Sequence, residues 1–193
     1  MKLDEIDWKL IMQLQANGRK TYKELGDTIG FTSLGAKKRV DKLLNKDLIH
    51  ISALVNPKEL DLRLALILLE VESAEALRKI IKRYSECPRI INFFTTMGGF
   101  NLIALVMAED QPTLESEAIE KCALRSGEGI RRSEFFPIGK VDNPSFLPLK
   151  VQALAKKKEI TPCGVHCKEC LSFKQNKCVG CPSVTYYRGP FEW

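Results

Sequence analysis

Residues 21–46 read TYKELGDTIGFTSLGAKKRVDKLLNK, and this stretch decides the fold of the N-terminal end. Thr21 stands before a helical run and Glu24 follows three residues later. In that capping-box spacing each side chain satisfies the other residue's free N–H. Leu25 and Ile29 then fall on one inner face. Gly30-Phe31 is short enough for a tight turn, and Thr32 caps a further helix that runs to about Lys46. In that helix Ala36, Val40, Leu43 and Leu44 share a side at core spacing. Lys38 lies opposite, Leu34 and Lys42 lie nearby, and Lys37 and Arg39 flank the apolar stripe. Asp41 is the single acid against five bases. A short basic helix placed after a helix and a tight turn is shaped to enter a major groove. The expected groove-facing set is Thr32, Ser33, Leu34, Lys37, Lys38, Arg39 and Lys42. Ser33, Leu34 and Lys37 sit near the helix start, where base edges come within reach. Lys38 and Lys42 are placed for phosphates, which position a protein without specifying sequence. The expected partner is double-stranded DNA.

Working outward, Ile6, Leu10 and Leu14 recur every fourth residue and predict a first helix from about Asp4 to Asn17. Gly18 stands where a C-terminal cap belongs. Beyond the basic helix, Leu48–Ile51 and Ala53–Val55 read as two short strands of a wing, closed by Asn56-Pro57. From Leu62 the pattern changes. Leu64–Val71 is an apolar strand and Ala74–Tyr84 a helix with Leu77, Ile80, Ile81 and Tyr84 on one face. Ile90–Met97 and Asn101–Ala108 are strands joined by Gly98-Gly99, a turn of hairpin length. Pro112–Leu124 is a helix with proline in its first turn, and Ile130–Ile138 a last strand. The order βαββαβ predicts a ferredoxin-like sandwich, so the fold class is α+β. Right-handed crossovers put both helices on one face of the sheet. Yet the strands are apolar on both faces, with Leu64, Leu66 and Leu68 against Ala65, Ile67 and Leu69. A second copy of the same sheet is the expected cover, ahead of the mostly polar tail.

The head (Leu3-Asp4, Asp7, Arg19, Leu25, Thr32, Arg39-Val40, Leu43, Ile49) and the following βαββαβ unit together resemble the Lrp/AsnC, or feast/famine, transcription regulators of bacteria and archaea. The resemblance covers roughly residues 2–138. It implies a dimer, commonly assembled into octamers, that binds promoter DNA and often responds to small effectors such as amino acids. Where the family usually carries glycine before the wing, this chain has Asp47, which tolerates a left-handed backbone better than most residues. The family's Gly-x-Tyr-Asp near its effector site appears here as Gly98-Gly99-Phe100-Asn101. An amide in place of the carboxylate removes a partner for a ligand's ammonium group.

The chain has 193 residues, 45% hydrophobic and 28% charged, with a net charge of +6. The charge is uneven, at +2 over residues 1–62, −1 over 63–139 and +5 over 140–193. A near-neutral middle between basic ends suits an assembly domain joining two parts that face nucleic acid. No apolar run reaches membrane-spanning length and the N-terminus has no signal-peptide core, so no membrane partner and a cytoplasmic location are expected. The expected divisions are a DNA-binding head at 1–61, an assembly and effector domain at 62–139, a linker with a short basic helix at 140–160, and a cysteine-rich module at 161–193.

Seven cysteines are present, five of them between Cys163 and Cys181. In a reducing compartment such clustering indicates metal more than disulfides. Cys167-x-x-Cys170 and Cys178-x-x-Cys181 form two knuckles, each aiming two thiolates at one ion, and two knuckles complete a tetrahedron. Cys163 and His166 are alternates for any one of the four. Zinc would staple a segment too small for a core of its own. An iron–sulfur cluster has compatible ligands and would make the tail a redox or metal input. The tail resembles small cysteine-rich modules on some archaeal proteins. The isolated Cys87 and Cys122 read as small buried apolar residues. No Ser/His/Asp arrangement, phosphate-binding glycine loop or carboxylate pair is present, so no enzymatic activity is expected.

Overall fold

The computed structural model describes residues 3–120, 122, 124–142, 146–151 and 158–191. The chain forms two compact units, Met1–Ala53 and Leu54–Trp193.

The first unit is three helices, α1 (Glu5–Ala16), α2 (Tyr22–Ile29) and α3 (Ser33–Asn45). Each starts on a side-chain cap. Asp4 and Asp7 form a capping box on α1, Thr21 and Glu24 do so on α2, and Thr32 accepts from the Gly35 N–H on α3. Leu10, Leu25, Ala36 and Val40 form the small core, with Ile6, Leu14, Ile29 and Leu44 around it. Close packing at the α2–α3 turn requires Gly26, because a Cβ there would stand 2.6 Å from the Phe31 carbonyl oxygen. Gly30 closes α2 in the left-handed region at φ 72°, where glycine adds no steric cost. Asp47 is left-handed too, at φ 52°. Two local expectations are corrected. Asn17, in extended backbone, ends α1 through its own N–H to the Gln13 carbonyl, so Gly18 is not the left-handed cap. Residues 48–54 form no strand, and Val55 makes only an isolated bridge, to Leu147.

The second unit holds β1 (Arg63–Val71), α4 (Ala74–Tyr84), β2 (Ile90–Thr95), β3 (Leu102–Ala108), α5 (Gln111–Ile119) and β4 (Ile130–Ile138). The sheet is antiparallel throughout, in the order β2-β3-β1-β4. α5 is shorter than its sequence pattern suggests. Asp110 caps it, but it ends at Ile119 with Glu120 in extended backbone, and a 3-10 turn at Leu124–Ser126 follows. Ala65, Ile67, Leu69 and Val71 of β1 pack with Ile80, Tyr84, Leu114 and Leu124 to make the main core.

The opposite sheet face is where the structure departs most from expectation. Leu64, Ile91 and Met107 on that face are covered by Leu147, Leu149, Val151 and Phe191. The tail therefore supplies part of the cover that had been assigned to a second copy. Its polar average conceals an apolar triplet at alternate positions, which is all that one end of a sheet requires. The rest of this face remains open: Leu66 and Leu68 are half-buried, and Phe94 and Phe136 are each 47% exposed. Further on, the tail forms a 3-10 turn at Cys167–Glu169 and a short helix α6 (Leu171–Lys174). Lys158 bridges to Val184. Pro144 of the expected linker, and Lys156 and Lys157 of the expected basic helix, lie outside the described residues. Among the described residues no helix is long and apolar enough to cross a membrane.

Candidate functional site

The first candidate surface is α3. Its apolar stripe is buried, with Ala36 and Leu43 at 0% exposure, so its other face must look outward. Thr32, Ser33, Leu34, Lys37, Lys38 and Lys42 are all exposed there. Leu34 is a leucine left 63% open at the helix start, beside Ser33. Arg39 differs from the rest of the expected set. Its Nη1 donates to Asp4 Oδ2 at 2.7 Å and to Asp7 Oδ1 at 2.8 Å, and its guanidinium lies 5.5 Å from the Phe31 ring centre. Asp7 is buried, so Arg39 neutralises a carboxylate inside the head and ties α3 to the start of α1. The backbone N–H of Asp7, and then Arg39, hold the Asp4 carboxyl below the usual aspartate range.

The Gly98–Asn101 segment is the second. Gly98 and Gly99 have open space where a Cβ would stand, and the Phe100 ring is covered by Arg132 at 4.3 Å. Asn101 is fully engaged with β1. Its Oδ1 accepts from the Val71 N–H and its Nδ2 donates to the Val71 carbonyl, both at 2.8 Å. The amide thus stitches the β2–β3 hairpin to the end of β1.

The third site joins tail and sandwich. All seven cysteines are free thiols and all seven line one cavity of about 50 Å³. Cys163, Cys167, Cys170, Cys178 and Cys181 come from the tail, Cys87 from the segment after α4 and Cys122 from the segment after α5. Ile67, Tyr84, Ile90, Val106, Leu124 and Phe173 supply apolar walls. His166, the alternate ligand, is exposed and does not line the cavity. Among the described residues no three His, Cys, Asp or Glu side chains already stand in metal-ligating positions. Burial pushes the Cys87 thiol up to about 12 and that of Cys167 to about 11; Cys122, Cys170 and Cys181 are also raised by burial. Such thiols stay protonated unless a cation takes the proton's place.

A buried polar network holds the tail beside this cavity. Arg89, 6% exposed, donates from Nη2 to Glu109 Oε2 at 2.7 Å and to the Gly180 carbonyl. Glu117 lies 3.2 Å from Arg89 Nε, yet burial pushes its carboxyl up to about 8. Tyr187 donates to Glu109 at 2.8 Å, Val179 N–H to Thr113, and Arg83 to the Cys163 carbonyl. Cys87 and Cys122, read from the sequence as small buried apolar residues, are half-buried, and Cys87 packs against the main core. That they line one cavity with the tail's cysteines, and this network, had no signal in the sequence. Both cysteines are far from the tail along the chain, and no spacing rule links them to it.

The comparisons with known proteins follow the same division. Residues 3–44 match the AsnC-type helix-turn-helix domain. An HTH-type transcriptional regulator of Methanocaldococcus jannaschii is 27% identical over 120 residues, 62% of this chain and 81% of its own length. The crystal structure of PH0061, from Pyrococcus horikoshii, covers 73% of this chain and 95% of its own at 25% identity and a TM-score of 0.65. The structure of E. coli AsnC covers 74% of this chain and 95% of its own at 20% identity and a TM-score of 0.63, a likeness of fold. The Methanocaldococcus and Pyrococcus relatives both carry the name HTH-type transcriptional regulator.

Proposed function

We propose that this chain is a sequence-specific DNA-binding transcription regulator of the Lrp/AsnC type, acting in the cytoplasm as at least a homodimer. The observation that carries the reading is the outward face of α3. Its cap, its buried stripe and its open Ser33, Leu34, Lys37, Lys38 and Lys42 are what a groove-entering helix needs. The AsnC-type match over residues 3–44 supports the same reading. Lys38→Ala and Lys42→Ala should weaken binding to every sequence and flatten its salt dependence, since each phosphate contact releases counterions. Substitutions at Ser33, Leu34 or Lys37 should alter sequence preference. Titration of labelled duplexes at several salt concentrations separates the two. Unchanged affinity at low salt in the lysine variants would remove α3 from the groove.

The tail, in this reading, holds a thiophilic metal, with Cys167, Cys170, Cys178 and Cys181 able to bind one zinc without outside help. The seven thiols among its lining residues support it. Loss of metal in a Cys178→Ser/Cys181→Ser double variant is the expected result, and full retention would refute it. An iron–sulfur occupant would make the tail a redox or metal input. A small-molecule effector at Gly98–Asn101 would have to bind without the Asn101 amide, which Val71 occupies.

A further inference from the structure

Zinc held by the tail alone would use four thiolates at about 2.3 Å from one ion and leave no hollow between them. The cavity has a surplus of both sulfur and space. Three more thiols face it, Cys163 from the tail and Cys87 and Cys122 from the sandwich. Its volume of about 50 Å³ is several times the roughly 10–15 Å³ that one water needs. If these cysteines were only small core residues, the space between them would be filled, because protein interiors pack to crystal-like density and voids cost stability. Among the described residues that line it, seven offer sulfur, Glu117 is the one carboxylate and there is no imidazole. That donor set disfavours hard cations such as magnesium or calcium. Arg89, buried at the cavity wall, places a positive charge where thiolates would accumulate negative charge.

We propose that the seven-cysteine cavity is one shared metal centre, in which Cys87 and Cys122 of the sandwich join the tail's thiolates around a core of more than one thiophilic metal ion. The core is either a zinc–thiolate cluster or an iron–sulfur cluster with inorganic sulfide as its bridge. Each thiol gives its proton to solvent as it ligates, and ligation itself transfers no electron. The inference rests on the metal reading of the tail and goes beyond it. The site then belongs to two parts of the fold, so loading clamps residues 158–191 against the segments after α4 and α5.

The full chain, purified without oxygen, should carry at least two metal ions per molecule by native mass spectrometry and elemental analysis. Iron with acid-labile sulfide identifies the iron–sulfur form, and zinc without sulfide identifies the zinc cluster. A Cys87→Ala/Cys122→Ala double variant keeps small apolar groups in the wall and should lose at least one ion while keeping its circular dichroism. X-ray absorption on the unaltered protein should show a metal neighbour beyond the sulfur shell, a readout that does not depend on any variant folding. A single ion with sulfur neighbours only, unaffected by the double variant, would overturn the shared centre and leave the tail's metal reading intact. A metal-free protein, or full metal content in Cys178→Ser/Cys181→Ser, would overturn both.

Discussion

At the residue scale, Arg39 has the position of a groove-facing base but faces inward to two aspartates. Its sequence neighbours Lys37 and Lys38 point outward because a helix turns by about 100° per residue. Asp7 is buried against Arg39, so Arg39→Ala leaves a carboxylate with a lost partner. The expected cost is about 1.5–3 kcal/mol, the usual worth of a hydrogen bond to a charged group. Urea unfolding of the head followed by fluorescence checks it; a loss well below 1 kcal/mol would mean that Asp7 finds another donor. Two capping carboxylates, Asp4 and Glu24, set the acid sensitivity. The Asp4 carboxyl is lowered by the Asp7 N–H and then by Arg39, and that of Glu24 by the Thr21 N–H and hydroxyl. A folded pKa below the unfolded one means that the unfolded chain binds more protons between the two values. That stabilisation is present above the unfolded value of about 4 and is lost as pH falls through the folded one. The head's unfolding midpoint should be level near neutrality and fall below about pH 4. Asp4→Asn should flatten that fall.

At the element scale, the β1 face carrying Leu64, Leu66 and Leu68 is divided between two environments. Its Leu64 end is closed by Leu147, Leu149 and Val151, each half-buried leucine contributing about 1 kcal/mol. Its other end pairs Leu66 with Phe136 and Leu105, and Leu68 with Ile103, which pairs in turn with Phe94. Two phenylalanines 47% open on such a strip make it the face on which a second copy is expected. Leu66→Lys should abolish self-association, because the charge would enter the interface without a partner. Light scattering at micromolar concentration checks this, with circular dichroism to confirm that the sheet survives. A stable monomer in the unaltered protein would defeat the expectation. The tail is a separate matter: it hangs on Arg89. Arg89→Met removes the donor to Glu109 and to Gly180, leaving buried acceptors unpaired. Limited proteolysis should then cut within residues 158–191 at least tenfold faster than in the unaltered protein.

At the scale of the whole molecule, a strong chelator should leave the first unit's thermal unfolding unchanged and loosen only the tail. The head has its own core of Leu10, Leu25, Ala36 and Val40, which contains no cysteine. Hydrogen exchange before and after chelation tests this. Faster exchange confined to residues 158–191 and the cavity-lining turns is the expected pattern. Equal exchange throughout would mean that no ion removable by a chelator holds the tail.

The three helices of the head were legible in the sequence because their signals are local. A Thr21–Glu24 box, a Thr32 cap and apolar residues at helical spacing act within one or two turns, where chain connectivity already brings the groups together. The order βαββαβ was legible for the same reason, as each element carries its own period. The wing was misread because short apolar runs such as Leu48–Ile51 become strands only if another strand lies alongside, and none does among the described residues. Tertiary structure alone decided that Leu147, Leu149 and Val151 close one end of the sheet, that Arg39 turns inward, and that Cys87 and Cys122 meet five tail cysteines around one cavity. Periodicity and caps are properties of neighbours along the chain, whereas a cavity shared by residues 87, 122 and 163–181 exists only once folding has brought distant segments together.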